Sequence, residues 1–163
     1  MPVIDVTSDI ATCTLTIEAA FAAPVQRVWD LYADPRQLEK VWGPPEVPAT
    51  FVDHDLTPGA KCTYFMTDPN SGEKYYGWWL ITEVAAPTLL TFDDGFGDAE
   101  FNPAPGMPVS KNVYRFEAAE GGTRAVYTSV FPDAESLQQV LDMGMIEGAT
   151  SAINQIDGFL AGA

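Results

Sequence analysis

The sequence predicts an α+β protein in which an antiparallel sheet is covered on one face by a long C-terminal helix. Apolar and polar residues alternate through one segment near the N-terminus and, after two short helical segments, through six consecutive segments. Alternation is the period of a half-buried strand. From Asp133 onward the apolar residues recur every three to four positions, the period of an amphipathic helix. Consecutive strands joined by short turns pair antiparallel, so about six to seven strands are expected.

The N-terminal third supplies the first strand and two short helices. Residues 1–10 are expected to form a loose leader or a sheet edge, and 13–21 alternate as a strand. Helical spacing follows over 23–34. A second short helix is expected over 34–43, because Asp34 is a good N-cap and a proline follows it at the first helical position.

The remaining strands are predicted from alternating segments bounded by Gly, Pro, Asn and Asp. They cover 50–56, 61–67, 74–84, 88–94, 111–119 and 123–131. The stretch 95–108 contains so much Gly and Pro that a loop is expected there. The last helix runs to about residue 160, and Gly144, Gly148 and Gly158 weaken it by about 1 kcal/mol each relative to alanine.

Charge and motifs exclude several functional classes. The net charge is −15, from 23 acidic and 8 basic residues, which disfavours nucleic acids and anionic membrane surfaces. No apolar run is long enough to insert in a membrane, no leader-like segment opens the chain, and a cytoplasmic location is expected. Nucleotide-binding and serine-hydrolase motifs are absent, and one histidine is too few for the common metal motifs. We therefore expect no cofactor and no metal.

Several motifs resemble one known family. "AFAAPVQRVWDLYADPRQLEKVWGP", "DLTPGAKCTYFM", "GWWLITEVAAPTLLTF" and "EGGTRAVYT" match motifs of the activator of heat-shock protein 90 ATPase family, in its bacterial single-domain form. That family belongs to the START-like superfamily, also called SRPBCC or helix-grip proteins. The resemblance covers residues 13 to about 160 and implies a single domain over 1–163. It also implies a curved sheet wrapped around the C-terminal helix, with a pocket between them.

The chain departs from the family at one position of the last helix. Gly148-Ala149 stands where Gly-Trp is expected. The missing indole leaves volume, which either neighbouring aromatic residues fill or a larger cavity retains.

The first functional hypothesis is a carrier or sensor for a small hydrophobic or aromatic molecule. Strand alternation groups aromatic and sulfur-containing residues on common faces, and such a lining suits an apolar ligand. The alternative for each residue is simple packing in the core. The candidate ligand-binding residues are Trp42, Tyr64, Met66, Tyr76, Trp78, Phe92, Tyr114, Phe116, Tyr127, Met145 and Ala149. Trp42 lies where a helix ends at Gly-Pro-Pro, so it either fills the core or forms the lip of the pocket.

The second hypothesis is an enzyme of the cyclase, aromatase or hydrolase type, in which pocket tyrosines and one carboxylate move protons. Its candidates are Tyr64, Tyr114, Tyr127 and Glu147. We expect binding without catalysis to be the better description. A third hypothesis is a chaperone-associated or other partner-binding module, and the protein is expected to be a monomer or a homodimer.

Two other groups have simpler interpretations. His54 is flanked by aspartates, which would favour its charged form on a solvent-exposed edge strand. Asp93 and Asp94 precede a glycine and are interpreted as turn residues.

Overall fold

A computed structural model describes residues 2–162 of the chain. It contains eight strands and five helical segments. In chain order they are β1 Val3–Asp9, β2 Thr14–Phe21, α1 Val25–Ala33, α2 Pro35–Leu38, β3 Ala49–Asp53, β4 Lys61–Thr67, β5 Lys74–Ala85, β6 Leu89–Gly97, β7 Val109–Ala119, β8 Gly122–Val130, α3 Ala134–Asp142, α4 Met145–Asn154 and α5 Ile156–Gly162.

All eight strands form one antiparallel sheet in the order β1-β2-β8-β7-β6-β5-β4-β3. The predicted α+β class and the curved helix-grip architecture are confirmed. The eighth strand is β1, which pairs with β2 at the edge of the sheet. Its alternation is weak because only Val3 and Val6 are half-buried within it, so the sequence pattern left its structure open between a loose leader and an edge.

The two N-terminal helices cover part of the inner face of the sheet. Helix α1 buries Val28, Trp29, Leu31 and Tyr32. Asp34 caps α2 as predicted, since its carboxylate accepts a hydrogen bond from the backbone N–H of Arg36 at 2.9 Å. Helix α2 ends at Leu38 instead of near residue 43, and turns follow as far as β3.

The predicted long C-terminal helix is three segments. The first break is at Gly144, whose φ of 85° is left-handed and stops the regular helix. The second is at Gln155, between α4 and α5. Periodicity continued across both breaks, which is why the sequence indicated one helix. Side-chain hydrogen bonds hold these segments to the rest of the fold: Asn154 Oδ1 accepts from Val3 N at 3.0 Å, and Gln155 Nε2 donates to Gly43 O at 2.8 Å.

Aromatic rings dominate the inner face of the sheet. The Trp79 and Phe92 rings stack with centroids 4.3 Å apart, and Tyr114 meets Tyr127 edge-to-face at 4.5 Å. Such pairs contribute about 0.5–1.5 kcal/mol each beyond their burial. Tyr114 and Tyr127 of this layer form part of one wall of the site described next.

Candidate ligand-binding cavity

A cavity of about 350 Å³ lies between the inner face of the sheet and the broken C-terminal helix. Strands β2, β4, β6, β7 and β8 supply one wall, and α3, α4 and α5 supply the other. Its volume is at the small end of the range for pockets that hold organic ligands, about 300–1,000 Å³. The cavity therefore has room for a compact molecule of one or two rings.

Helix α4 leaves this space open because it presents small residues to the sheet. Gly148, Ala149 and Ala152 all border the cavity. A large side chain at Ala149 would project into the same volume. The departure from Gly-Trp at Gly148-Ala149 thus coincides with the cavity wall.

A carboxylate and a tyrosine form the polar end of the cavity. The Tyr64 hydroxyl of β4 donates a hydrogen bond to Asp94 Oδ1 of β6 at 3.1 Å. Burial raises the pKa of Asp94 from 3.8 to about 7, against the opposing effect of the Tyr64 hydrogen bond. The same burial raises the pKa of Tyr64, with the negative charge of Asp94 as a second cause. Near neutral pH, Tyr64 is thus a donor and Asp94 is close to its midpoint.

Strands β7 and β8 add a chain of hydrogen bonds beside this pair. Ser129 Oγ donates to Asn112 Oδ1 at 2.6 Å, and Asn112 Nδ2 donates to Ser110 Oγ at 3.0 Å. Ser110 Oγ in turn approaches the Asp94 carbonyl at 3.5 Å. The chain fixes these side chains and satisfies most of their polar atoms internally.

Three more tyrosines lie at or near this wall. The hydroxyls of Tyr32 and Tyr127 share a hydrogen bond of 2.8 Å. The Tyr114 hydroxyl has no hydrogen-bond partner within residues 2–162. Burial raises the pKa of Tyr32, Tyr114 and Tyr127, so all three remain protonated at neutral pH.

Seven of the eleven predicted ligand-binding residues border the cavity. They are Trp42, Tyr64, Met66, Tyr114, Tyr127, Met145 and Ala149. Their contact with a ligand stays a prediction, whereas their position around one common space is a feature of the structure. Phe92 and Phe116 do not border it. Phe92 stacks on Trp79, and Phe116 packs against Trp29 and Tyr32, so both rings belong to the core.

Tyr76 and Trp78 lie on the opposite face of the sheet, which corrects their predicted placement in the lining. Trp79 occupies the inner face of β5, and its neighbours in the strand point outward. Trp78 covers β6 at Gly95, where any Cβ would overlap the indole ring, and Trp78 Nε1 donates to Phe96 O at 3.1 Å. The run Tyr-Tyr-Gly-Trp-Trp places aromatic residues on both faces of β5, so the sequence pattern does not show which face points inward.

Trp42 combines the two roles considered for it. Its ring packs edge-to-face against Trp79 at 4.9 Å and against Tyr64 at 5.8 Å. It also borders the cavity. Trp42 is therefore both a core contact and part of the cavity wall.

Glu147 does not lie in the cavity. It is exposed in the first turn of α4, and it makes no hydrogen bond to a tyrosine among the described residues. The helical phase turns this carboxylate outward while Gly148 and Ala149 face the sheet. The form of the enzyme hypothesis that pairs Glu147 with pocket tyrosines is therefore wrong.

Asp94 is a candidate functional residue that the sequence interpretation does not identify. The sequence pattern predicts a turn at Asp94, but β6 continues through it to Gly97. The available signal was alternation: Leu90 and Phe92 face inward, so Asp94 follows on the same face. The glycine at 95 suggested a turn, whereas it actually makes room for Trp78.

The surroundings of His54 also differ from the expected solvent-exposed strand edge. Its Nε2 lies 2.7 Å from Tyr32 O, and its ring packs against Phe51 and Trp79. Burial lowers the pKa of His54 and outweighs the hydrogen bond to the Tyr32 carbonyl and the charges of Asp34 and Asp55, which would raise it. The imidazole is therefore a neutral structural group, separate from the cavity.

Within residues 2–162, no three His, Cys, Asp or Glu side chains converge as metal ligands would. None of the helices in that range combines the length and apolarity needed to cross a bilayer.

A family model and several solved structures match nearly the whole chain. The model of the family described as "Activator of Hsp90 ATPase homolog 1-like protein" matches residues 22–161. A crystal structure of a protein from Mycobacterium smegmatis is 64% identical with a TM-score of 0.90, covering 98% of this chain and 97% of that one.

Two solution structures extend the comparison. A protein from Arthrobacter aurescens is 42% identical with a TM-score of 0.92, covering 98% of this chain and 92% of its own. Another from Staphylococcus epidermidis is 25% identical with a TM-score of 0.83, covering 97% and 94%. None of the curated proteins matches the chain.

Proposed function

The chain belongs to the Activator of Hsp90 ATPase homolog 1-like family, and on that premise we propose that it binds a small hydrophobic ligand as a carrier or sensor. The fold of this family commonly holds ligands between the sheet and the C-terminal helix. The observation that carries the proposal is the 350 Å³ cavity at that place, with aromatic and aliphatic walls and one polar end.

The energetics of such a site favour modest affinity. A ligand that buries about 250 Å² of apolar surface gains about 6 kcal/mol, and the cavity walls add a similar amount. Association costs on the order of 4–15 kcal/mol. The expected free energy of binding is therefore about −8 kcal/mol, which corresponds to a dissociation constant near the micromolar range.

A cavity-blocking variant tests the proposal. Ala149→Phe places a ring in the cavity, whereas Ser151→Phe adds the same ring at an exposed position of the same helix. N-phenyl-1-naphthylamine, an uncharged probe whose fluorescence rises in apolar surroundings, is titrated into each protein. We expect micromolar binding to the wild type and to Ser151→Phe, and at least a tenfold loss with Ala149→Phe.

Circular dichroism melts of all three proteins establish that each is folded at the assay temperature. Equal probe binding to Ala149→Phe and to the wild type would show that the probe binds elsewhere. Absence of binding to the wild type would contradict the proposal directly.

A proton-transfer enzyme is the second candidate, because the Asp94–Tyr64 pair places a carboxyl group with a pKa of about 7 at the end of an apolar cavity. Native mass spectrometry of protein purified from its own cells would identify a retained small molecule. Incubating that molecule with wild type and with Asp94→Asn then tests turnover. A mass change that requires Asp94 favours the enzyme, and an unchanged mass favours the carrier or sensor.

A further inference from the structure

We propose that the cavity selects a hydrophobic amine, whose protonated nitrogen pairs with the Asp94 carboxylate while its apolar body lies against the aromatic wall. This inference rests on the proposed ligand-binding function and specifies the chemical class of the ligand. Three features of the described cavity support it: the sign of its charge, an unused acceptor, and the rings around it.

The first feature is charge. Asp94 is the one acidic residue among those lining the cavity, and the lining contains no Lys, Arg or His. An anionic ligand would therefore meet a like charge with no compensating cation. The protein as a whole carries a net charge of −15, which also raises the local concentration of cations near its surface.

The second feature is the unused acceptor. Asp94 Oδ1 accepts from Tyr64, whereas Oδ2 accepts no hydrogen bond within residues 2–162. A carboxylate removed from water needs donors at both oxygens to be stable in its ionised form. An ammonium group supplies up to three donors and the opposite charge.

The surroundings of Asp94 offer no competing cation. The residues that border the same space include Tyr64 from β4, Ser110 and Tyr114 from β7, Val140 from α3 and Met145 from α4. None of these carries a positive charge at neutral pH. The free hydroxyl of Tyr114 provides one additional polar group for the ligand nitrogen.

The third feature is the aromatic wall. Tyr64 and Trp42 border the cavity with ring centroids 5.8 Å apart, and Tyr114 borders it from β7, the strand next to that of Asp94. Aromatic faces attract cations, by about 0.5–2 kcal/mol depending on exposure to water. The same rings bury the apolar body of the ligand.

Three probes that share one ring system test the inference. They are 1-naphthylmethylamine, 1-naphthalenemethanol and 1-naphthoic acid, which are cationic, neutral and anionic at pH 7.5. Calorimetric titration measures the affinity of each for wild type, Asp94→Asn and Asp93→Asn. Asp93 precedes Asp94 and points to the other face of β6, so its replacement removes the same charge without altering the cavity.

The wild type is expected to bind the amine at least about tenfold more tightly than the alcohol, since hydrogen bonds to charged groups contribute about 1.5–3 kcal/mol. The acid is expected to bind most weakly. Asp94→Asn should reduce the preference for the amine to less than about threefold, whereas Asp93→Asn should preserve it.

The remaining outcomes overturn the inference in different ways. Equal affinity of wild type for amine and alcohol would overturn it and leave the proposed function standing. An equal loss in both variants would show that only the overall charge matters and would also overturn it. If none of the three probes binds, both the inference and the proposed function are wrong.

Discussion

At the scale of single residues, the properties of Asp94 and His54 follow from burial more than from their neighbours in sequence. Asp94 lies between Asp93 and a glycine, but its side chain is half-buried and ends at an apolar cavity. His54 lies between two aspartates, but its ring is enclosed by Phe51 and Trp79. In both cases desolvation disfavours the charged form, which raises one pKa and lowers the other.

The raised pKa of Asp94 predicts that Asp94→Asn stabilises the protein at high pH. The folded state retains the proton up to a pKa of about 7, whereas the unfolded state releases it near 3.8. The wild type therefore loses stability as the pH rises from about 4 to about 7, and the variant lacks this loss. Urea unfolding at pH 4 and pH 8 should show the advantage of the variant growing by about 1–4 kcal/mol between them.

Other titrating groups are common to both proteins, so the difference between them isolates Asp94. The far-ultraviolet circular dichroism spectra of the two proteins should coincide. An advantage that is the same at both pH values would mean that Asp94 titrates normally in the folded protein.

The lowered pKa of His54 predicts that its contribution to the stability of the fold rises with pH, whereas that of Asp94 falls. The unfolded state binds a proton at the ordinary pKa of 6.5, and the folded state binds it only at lower pH. Stability contributed by the neutral imidazole is thus present above pH 6.5 and lost as the pH falls through the folded pKa. His54 is the sole histidine in the sequence, so any imidazole signal in the NMR spectrum of the folded protein belongs to it. Titration of that signal should give a midpoint below pH 6.5.

The tautomer can be read in the same spectra. Nε2 should carry the proton, because it faces the Tyr32 carbonyl at 2.7 Å. A midpoint at or above 6.5 would instead indicate an imidazole in contact with bulk water.

At the scale of elements, the C-terminal helix illustrates how one backbone conformation divides a continuous apolar pattern. Gly144 adopts a φ of 85° between α3 and α4, a region that costs an L-residue about 1–2 kcal/mol. Both Met143 and Gly144 border the cavity. The break is therefore part of the cavity wall as well as the end of a helix.

The break predicts contrasting effects of two alanine substitutions. Gly144→Ala should destabilise the protein by about 1–2 kcal/mol, because alanine must adopt the left-handed conformation. Gly158→Ala in α5 should stabilise it by up to about 1 kcal/mol, since Gly158 has no positive φ and an added Cβ meets no atom within 4 Å. Urea unfolding of both variants measures the difference. Equal effects at the two positions would argue that residue 144 is regular helix in solution.

At the scale of the whole molecule, the cavity exists because the sheet and the C-terminal helical segments are in contact over only part of their facing surfaces. The sheet brings residues from five strands to one surface, four of which supply an aromatic ring, and the broken helix opposes them with glycine and alanine. Two side chains of the helical segments, Asn154 and Asp157, accept hydrogen bonds from the backbone N–H groups of Val3 and Ala22, and Gln155 donates one to the carbonyl of Gly43. These attachments hold the layers together without filling the space between them. A ligand that fills this space should therefore raise the thermal stability of the wild type.

The sequence by itself determined the class of fold and part of the cavity wall. Alternation and helical periodicity identified the sheet, the N-terminal helices and the apolar C-terminal segment, because these periods follow directly from local geometry. Seven residues that border the cavity, from Trp42 to Ala149, are predicted from these patterns and, for Trp42, from the family resemblance. Family motifs then indicated how the elements are arranged.

Tertiary structure alone decided the remaining features. Which face of β5 points inward depends on the pairing of Trp79 with Phe92 and of Trp78 with Gly95, contacts between residues about 13 to 17 positions apart. Glu147 lies on the outward side of α4 and so does not reach the cavity. Because β6 continues beyond residue 92, Asp94 borders the cavity instead. The pKa of a carboxyl group depends on what surrounds it in three dimensions, so the chemical character of this site arises only when the sheet and the helix come together.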